Sequence, residues 1–181
     1  AADSKSRHDR RHHNLVMLEF ANKGDIDSVK QYLSGLLESE SLGSEEEKYC
    51  DNRTVQTVLT VYERRAKENG ISVNISARAS RELSVLPQDL VIVVANLFEN
   101  AIHATSKLKA KDKHIDIYIK DSAQRLLIKV ENPCRANLNL DETLSGVGIS
   151  SVISTTNKYE GMYDFTAEDG IFSAKVSLNL K

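Results

Sequence analysis

The chain has 181 residues, of which 40% are hydrophobic and 28% charged, and a net charge of −2. That balance suits one ordinary domain, or a small helical element joined to a domain of about 100 to 150 residues, and it excludes a global attraction to nucleic acid or anionic lipid. Cys50 and Cys134 stand alone, without a CxxC spacing or a disulfide framework, as in a reducing cytosol.

The first segment reads as a helix through about residue 22, stopped by Gly24, with Asp25 able to cap the next helix. Ile26, Val29, Leu33, Leu36 and Leu37 then recur at helical spacing and predict one apolar stripe. A hairpin of two such helices buries too little surface to stand alone and is expected to pair with a copy of itself. Residues 39–47, SESLGSEEE, have the composition of a linker. Beyond it, Asn52 can cap a helix with apolar positions Val55, Val58, Leu59, Tyr62 and Ala66 that ends at Gly70. The period then changes to two at Ile71, Val73, Ile75 and Ala77, which predicts a half-buried strand.

Residues 87–106 carry the strongest helical pattern. Projected at about 100° per residue, Leu90, Val91, Val94, Phe98, Ala101 and Ile102 form a broad apolar face. Asp89, Asn96, Asn100 and His103 form a narrow polar stripe, bordered by Ile92, Val93 and Leu97. Ile115, Ile117 and Ile119 predict one strand face and Leu126, Ile128 and Val130 the next, with DSAQ as the turn. A helix follows from about Ile149 to Glu160. Two last strands, with Tyr163, Phe165, Phe172, Ala174, Val176 and Leu178, flank the hairpin signal Asp169-Gly170. Strands and helices alternate too irregularly for a doubly wound parallel sheet, so a mixed sheet with helices on one face is expected.

Two stretches carry chemistry. RHDRRHHN, residues 7–14, holds three of the five histidines. Its HDRRH core mimics the HExxH zinc helix, but Asp9 is a methylene shorter than glutamate, two arginines repel a cation and no third ligand is evident. Arg7, Arg10 and Arg11 suit a phosphoryl donor or plain helix surface better than nucleic acid, since no base-reading motif accompanies them. On the second stretch, Asn96 and Asn100 set two amides four residues apart beside an apolar face. They could offer carbonyl oxygens to one ion or phosphate, or be exposed helix polars; spacing alone leaves both open.

NLFENAIHA, residues 96–104, resembles the asparagine box of the GHKL ATPase superfamily, which includes sensor histidine kinases. Gly146-Val147-Gly148-Ile149, beginning 46 residues after Asn100 and preceding a helix, resembles the family's second glycine box. Glycine there lets backbone amides approach a phosphate at a helix N-terminus. RHDRRHHN looks like the phosphoacceptor box of histidine kinases that sit beside quorum-sensing and peptide-responsive regulators. YCDNRTVQTVLTVYERRAKENGI resembles the helix leading into their ATPase domain.

The resemblance implies an α+β fold: an N-terminal hairpin over residues 1–47 that dimerises as a four-helix bundle, then a GHKL, Bergerat-type α/β sandwich over residues 48–181. It implies a sensor histidine kinase that uses ATP and Mg²⁺ to phosphorylate His8 and passes the phosphoryl group to an aspartate of a response regulator. Asp9 would take the imidazole proton, and His12 would stand where relatives often orient a hydrolytic water. Asn100 would hold Mg²⁺, Asn96 would touch metal-bound water or phosphate, and Gly146 and Gly148 would border the phosphate lid. Asn132, in VENP, matches the position that reads the adenine amino group, an aspartate in most of the family. The chain departs from the pattern in lacking a DxGxG box and in placing only 13 residues between Asn132 and Gly146. The alternative is an ATP-independent phosphotransferase or a dimeric binding scaffold with a degenerate GHKL domain. No apolar run approaches the roughly 18 residues that span a bilayer. The start without Met suggests a cytoplasmic fragment whose parent is anchored in the bacterial membrane through a sensor region outside it, with a second copy and the regulator as partners and no direct nucleic acid contact.

Overall fold

The computed structural model describes residues 2–37, 48–109, 113–135 and 140–180. It divides into two compact units, Ala1–Glu45 and Glu46–Lys181. The expected linker at 39–47 lies outside the described residues.

The first unit is a helical hairpin of α1 (Ala2–Asn22) and α2 (Ile26–Leu37). The punctuation read from the sequence is realised. Gly24 turns the chain at a φ of 71°. Asp25 then caps α2, accepting the Ser28 N–H at 3.0 Å and the Ser28 hydroxyl at 2.7 Å. The helices are joined by His13 Nδ1 and the Tyr32 hydroxyl, 2.8 Å apart, and by Phe20 tilted against the Tyr32 ring. His13 is therefore an interhelical contact. Among the described side chains of the hairpin none is buried, and Leu15, Leu18, Ile26 and Leu36 face solvent. Ile26 and Leu36 leave the expected stripe because a two-helix hairpin has only one line of contact to offer it.

The second unit runs α3 (Arg53–Glu68), β1 (Ser72–Arg78), α4 (Pro87–Ser106), β2 (His114–Asp121), β3 (Arg125–Pro133), α5 (Leu140–Leu144), α6 (Val147–Lys158), β4 (Met162–Glu168) and β5 (Ile171–Asn179). The sheet order is β1-β2-β3-β5-β4. β1 pairs with β2 in parallel and every other neighbour is antiparallel, so the sheet is mixed as expected. Ile115, Ile117, Ile119, Leu126, Ile128, Val130, Phe172, Ala174, Val176 and Leu178 are buried on one face, where α3, α4 and α6 pack. The opposite face keeps its polar side chains in water, including Asn74, Asp116, Tyr118, Lys129 and Lys175.

Local chemistry sets the element ends. Asn52 Oδ1 accepts the Val55 N–H at 3.1 Å and caps α3. Its Nδ2 donates to the Ser80 and Arg81 carbonyls, so the same residue ties α3 to the chain leaving β1. Pro87 opens α4, where its missing N–H costs nothing. Asp169 and Gly170, with φ of 51° and 76°, make the hairpin turn between β4 and β5.

α4 is the centre of the unit, touching α3, α6, β2 and β3. Burial on three sides explains a departure from the projected face: Val93 and Leu97, expected at its border, are fully buried, whereas Val91, expected within it, is 41% exposed. Phe98 is fully buried and stacks on Tyr62, their centroids 5.8 Å apart. The five-residue α5 has no counterpart in the sequence reading.

Candidate functional site

The fold brings Asn96, Asn100 and Gly148 together. Asn96 and Asn100 lie one turn apart on α4, and Gly148 lies in the first turn of α6 beside them. A Cβ built on Gly148 would stand 2.8 Å from Asn96 Oδ1, closer than the present Asn96 position allows, and an ordinary 3.6 Å from Asn100 Oδ1, so the bare glycine lets the α6 backbone rest against both amides without displacing Asn96. Asn96 is held by its own Nδ2, which donates to the Ile92 carbonyl at 2.6 Å.

Asn100 Nδ2 is buried and has no hydrogen-bond partner among the described residues. A buried, unmatched donor costs about 1–3 kcal/mol. A side-chain amide in that condition fits a missing partner: turned one way it donates to a phosphate oxygen, turned the other it offers a carbonyl to a hard cation. The residues present thus suit a metal–phosphate group. Gly146 is the N-cap of α6, in extended conformation without a side-chain cap, the kind of helix start at which backbone N–H groups can face an anion. Between the glycines, Val147 is 85% exposed.

Asn132 ends the helix-facing row of β3, 2% exposed and opposite Phe172 of β5. Its Nδ2 donates to the Pro133 carbonyl at 2.8 Å. No described contact joins Asn132 to the Asn96–Gly148 meeting point. His8, Asp9 and His12 share α1, but their side chains are outside the described residues.

The sequence reading missed a cluster at the other end of the α4–α6 contact. Asp89, expected on the polar stripe, is 6% exposed. Its Oδ2 accepts from Lys158 Nζ and from the Tyr159 hydroxyl, both at 2.6 Å. These bonds, Lys158 first and Tyr159 next, hold the Asp89 carboxyl below its ordinary value despite burial. The same carboxylate raises Lys158, and Tyr159 is raised by burial first and by Asp89 second. The one available signal was an acid in the first turn of a helix, which the helix dipole favours but which does not name a partner. Among the described residues no helix is long and apolar enough to cross a membrane.

A family model described as a GHKL domain matches residues 85–179, more than half of the chain, and the chain belongs to that family. It is 35% identical over 74 residues to the probable C4-dicarboxylate sensor kinase of Bacillus subtilis (strain 168), a stretch covering 38% of this chain and 14% of that protein. The chain thus spans a small part of that relative's length. Its fold is that of histidine kinase catalytic regions. It matches the histidine kinase AdeS of Acinetobacter baumannii at a TM-score of 0.59 and 14% identity, covering 96% of this chain and 98% of that one. The nucleotide-free catalytic domain of the histidine kinase ThkA matches at a TM-score of 0.58 and 15% identity, covering 70% of this chain and 90% of that one. The likeness to the ATPase region of sensor histidine kinases read from the sequence is thereby upheld.

Proposed function

We propose that the chain is the phosphoacceptor and ATP-binding part of a homodimeric sensor histidine kinase, of the type found beside quorum-sensing and peptide-responsive regulators. The observation that carries the reading is the Gly148 backbone resting against Asn96 and Asn100, with an unmatched buried amide on Asn100.

In this reading residues 48–181 bind MgATP. Asn100 holds the metal, which when bound neutralises charge on the phosphates. Asn96 contacts phosphate or metal-bound water, and Gly146 and Gly148 present α6 N–H groups to the terminal phosphates. Asn132 reads the adenine amino group. Residues 1–47 pair with a second copy as a four-helix bundle, for which the exposed Leu15, Leu18, Ile26 and Leu36 provide apolar surface. A ring nitrogen of His8 attacks the γ-phosphorus while the bond to the β–γ bridging oxygen breaks, and Asp9 takes the imidazole proton. His8 then passes the phosphoryl group to a response-regulator aspartate, and His12 orients water for its hydrolysis. Positioning and charge neutralisation do most of the work in such a transfer. The parent protein is anchored in the membrane by a sensor region beyond this chain.

Incubation with labelled ATP and Mg²⁺ yields acid-labile, base-stable label on the protein, absent in His8→Gln; label that persists in that variant removes His8 from the mechanism. Asn100→Ala abolishes Mg²⁺-dependent binding of an ATP analogue in calorimetry.

The short stretch between Asn132 and Gly146, 13 residues that include α5, favours a second reading in which the fold serves as a phosphotransferase or dimeric scaffold without ATP. That reading wins if wild-type protein ignores the analogue yet accepts phosphate from a phosphorylated regulator.

A further inference from the structure

The α4–α6 contact has two ends. The helices run in opposite directions, so the N-terminal turn of α6 meets Asn96 and Asn100 while its C-terminal end meets Asp89. At this second end one carboxylate oxygen gathers Lys158 and Tyr159, and the Tyr159 hydroxyl in turn accepts the Leu86 N–H at 3.0 Å. Leu86 is the N-cap of α4 and has no side-chain cap of its own. A single buried acid therefore joins the start of one helix to the end of the other. The exit from α6 is equally confined. The Gly161 N–H donates to the Thr156 carbonyl at 3.0 Å, and a side chain at Gly161 would collide with the Ser177 carbonyl of β5.

A helix transmits axial displacement from end to end, and a slip of one residue is about 1.5 Å. The approach at Gly148 is close, since a methyl group there would stand 2.8 Å from Asn96 Oδ1, so a shift of that size changes how the α6 backbone meets the amides. Apolar packing between α4 and α6 would tolerate small slides. Hydrogen bonds to a carboxylate do not, because their strength falls with tenths of an ångström and with misalignment.

We propose that Asp89 is a positioning residue for the nucleotide site: by clamping Lys158 and Tyr159 it fixes where the Gly148 backbone meets Asn96 and Asn100, and so how the triphosphate is held. This rests on the nucleotide reading above and adds to it a residue remote from the ligand. A mere stabilising staple would act on every ligand alike. A register device acts on the phosphate end, at Gly148, and spares the adenine end, at Asn132 on β3.

The test uses the full chain with Asp89→Asn and Tyr159→Phe, the second removing one hydroxyl and carrying the test if the first fails to fold. In nucleotide-free protein, the Gly148 backbone amide and the Asn96 and Asn100 side-chain amides shift in NMR spectra of either variant, and do not shift in the control Tyr163→Phe. With Mg²⁺ present, ATP affinity falls about tenfold, the worth of one hydrogen bond to a charged group, while adenosine affinity changes less than about twofold. Unmoved resonances overturn the clamp whether or not nucleotide binds, and so does an equal loss for ATP and adenosine. Wild-type protein that binds neither ligand sinks the nucleotide reading and the functional half of this proposal, and the resonances still decide whether Asp89 sets the position of α6.

Discussion

A methyl group on Gly148 would press on an amide that is already committed, because Asn96 Nδ2 holds the Ile92 carbonyl at 2.6 Å and cannot swing aside without losing that bond. The other glycine of the pair differs: a Cβ on Gly146 would meet only the Thr143 carbonyl, at an ordinary 3.6 Å. The two are thus unequal although the sequence motif presents them as equivalent. Gly148→Ala is expected to weaken ATP by about tenfold or more, the equivalent of one charged hydrogen bond lost, with Gly146→Ala well below that. Isothermal titration of both variants checks the order, and equal effects would mean that the Asn96 contact does not govern the fit. The residues themselves were nameable from NLFENAIHA and GVG; the inequality was not, because it depends on how closely two helices approach.

At the scale of elements, what the sequence showed and what it hid separate by range. The α4 pattern, the Asn52 cap and the Asp169-Gly170 turn are local, written in neighbouring residues, and all appear in the structure. The partnership of Asp89 with Lys158 spans 69 residues and leaves no periodic trace. α5 is too short to show a period, and Val91 and Val93 exchange roles because α4 is packed on several sides. The Asp89 clamp also gives the α4–α6 pair a pH dependence. The folded carboxyl titrates below its ordinary 3.8, so its stabilising contribution is complete above that pH and is lost as pH falls through the lower folded value. Urea midpoints should therefore drop on acidification below that pH more steeply in the wild type than in Asp89→Asn, and parallel curves would deny the clamp any role in acid stability.

For the whole molecule, every buried hydrophobic side chain among the described residues lies between Cys50 and Leu178, within the second unit. The described side chains of the hairpin contribute none. Residues 46–181 expressed alone are expected to melt within about 2 °C of the full chain in scanning calorimetry, since they hold all the described buried apolar side chains. They should keep ATP affinity and lose self-phosphorylation. A fragment that fails to fold would make the hairpin part of the same cooperative unit.

The second unit's sheet, with α3, α4 and α6 packed on one side, has a consequence for how this sequence can drift. Along β2, Ile115, Ile117 and Ile119 are sealed beneath the helices while Asp116, Tyr118 and Lys120 alternate with them on the wetted side. Adjacent codons in one strand therefore live under different constraints. A saturation library scored for folded protein should show tolerance rising and falling with every second position, locked then free, and the same two-beat rhythm should mark out the strands without any coordinates at all.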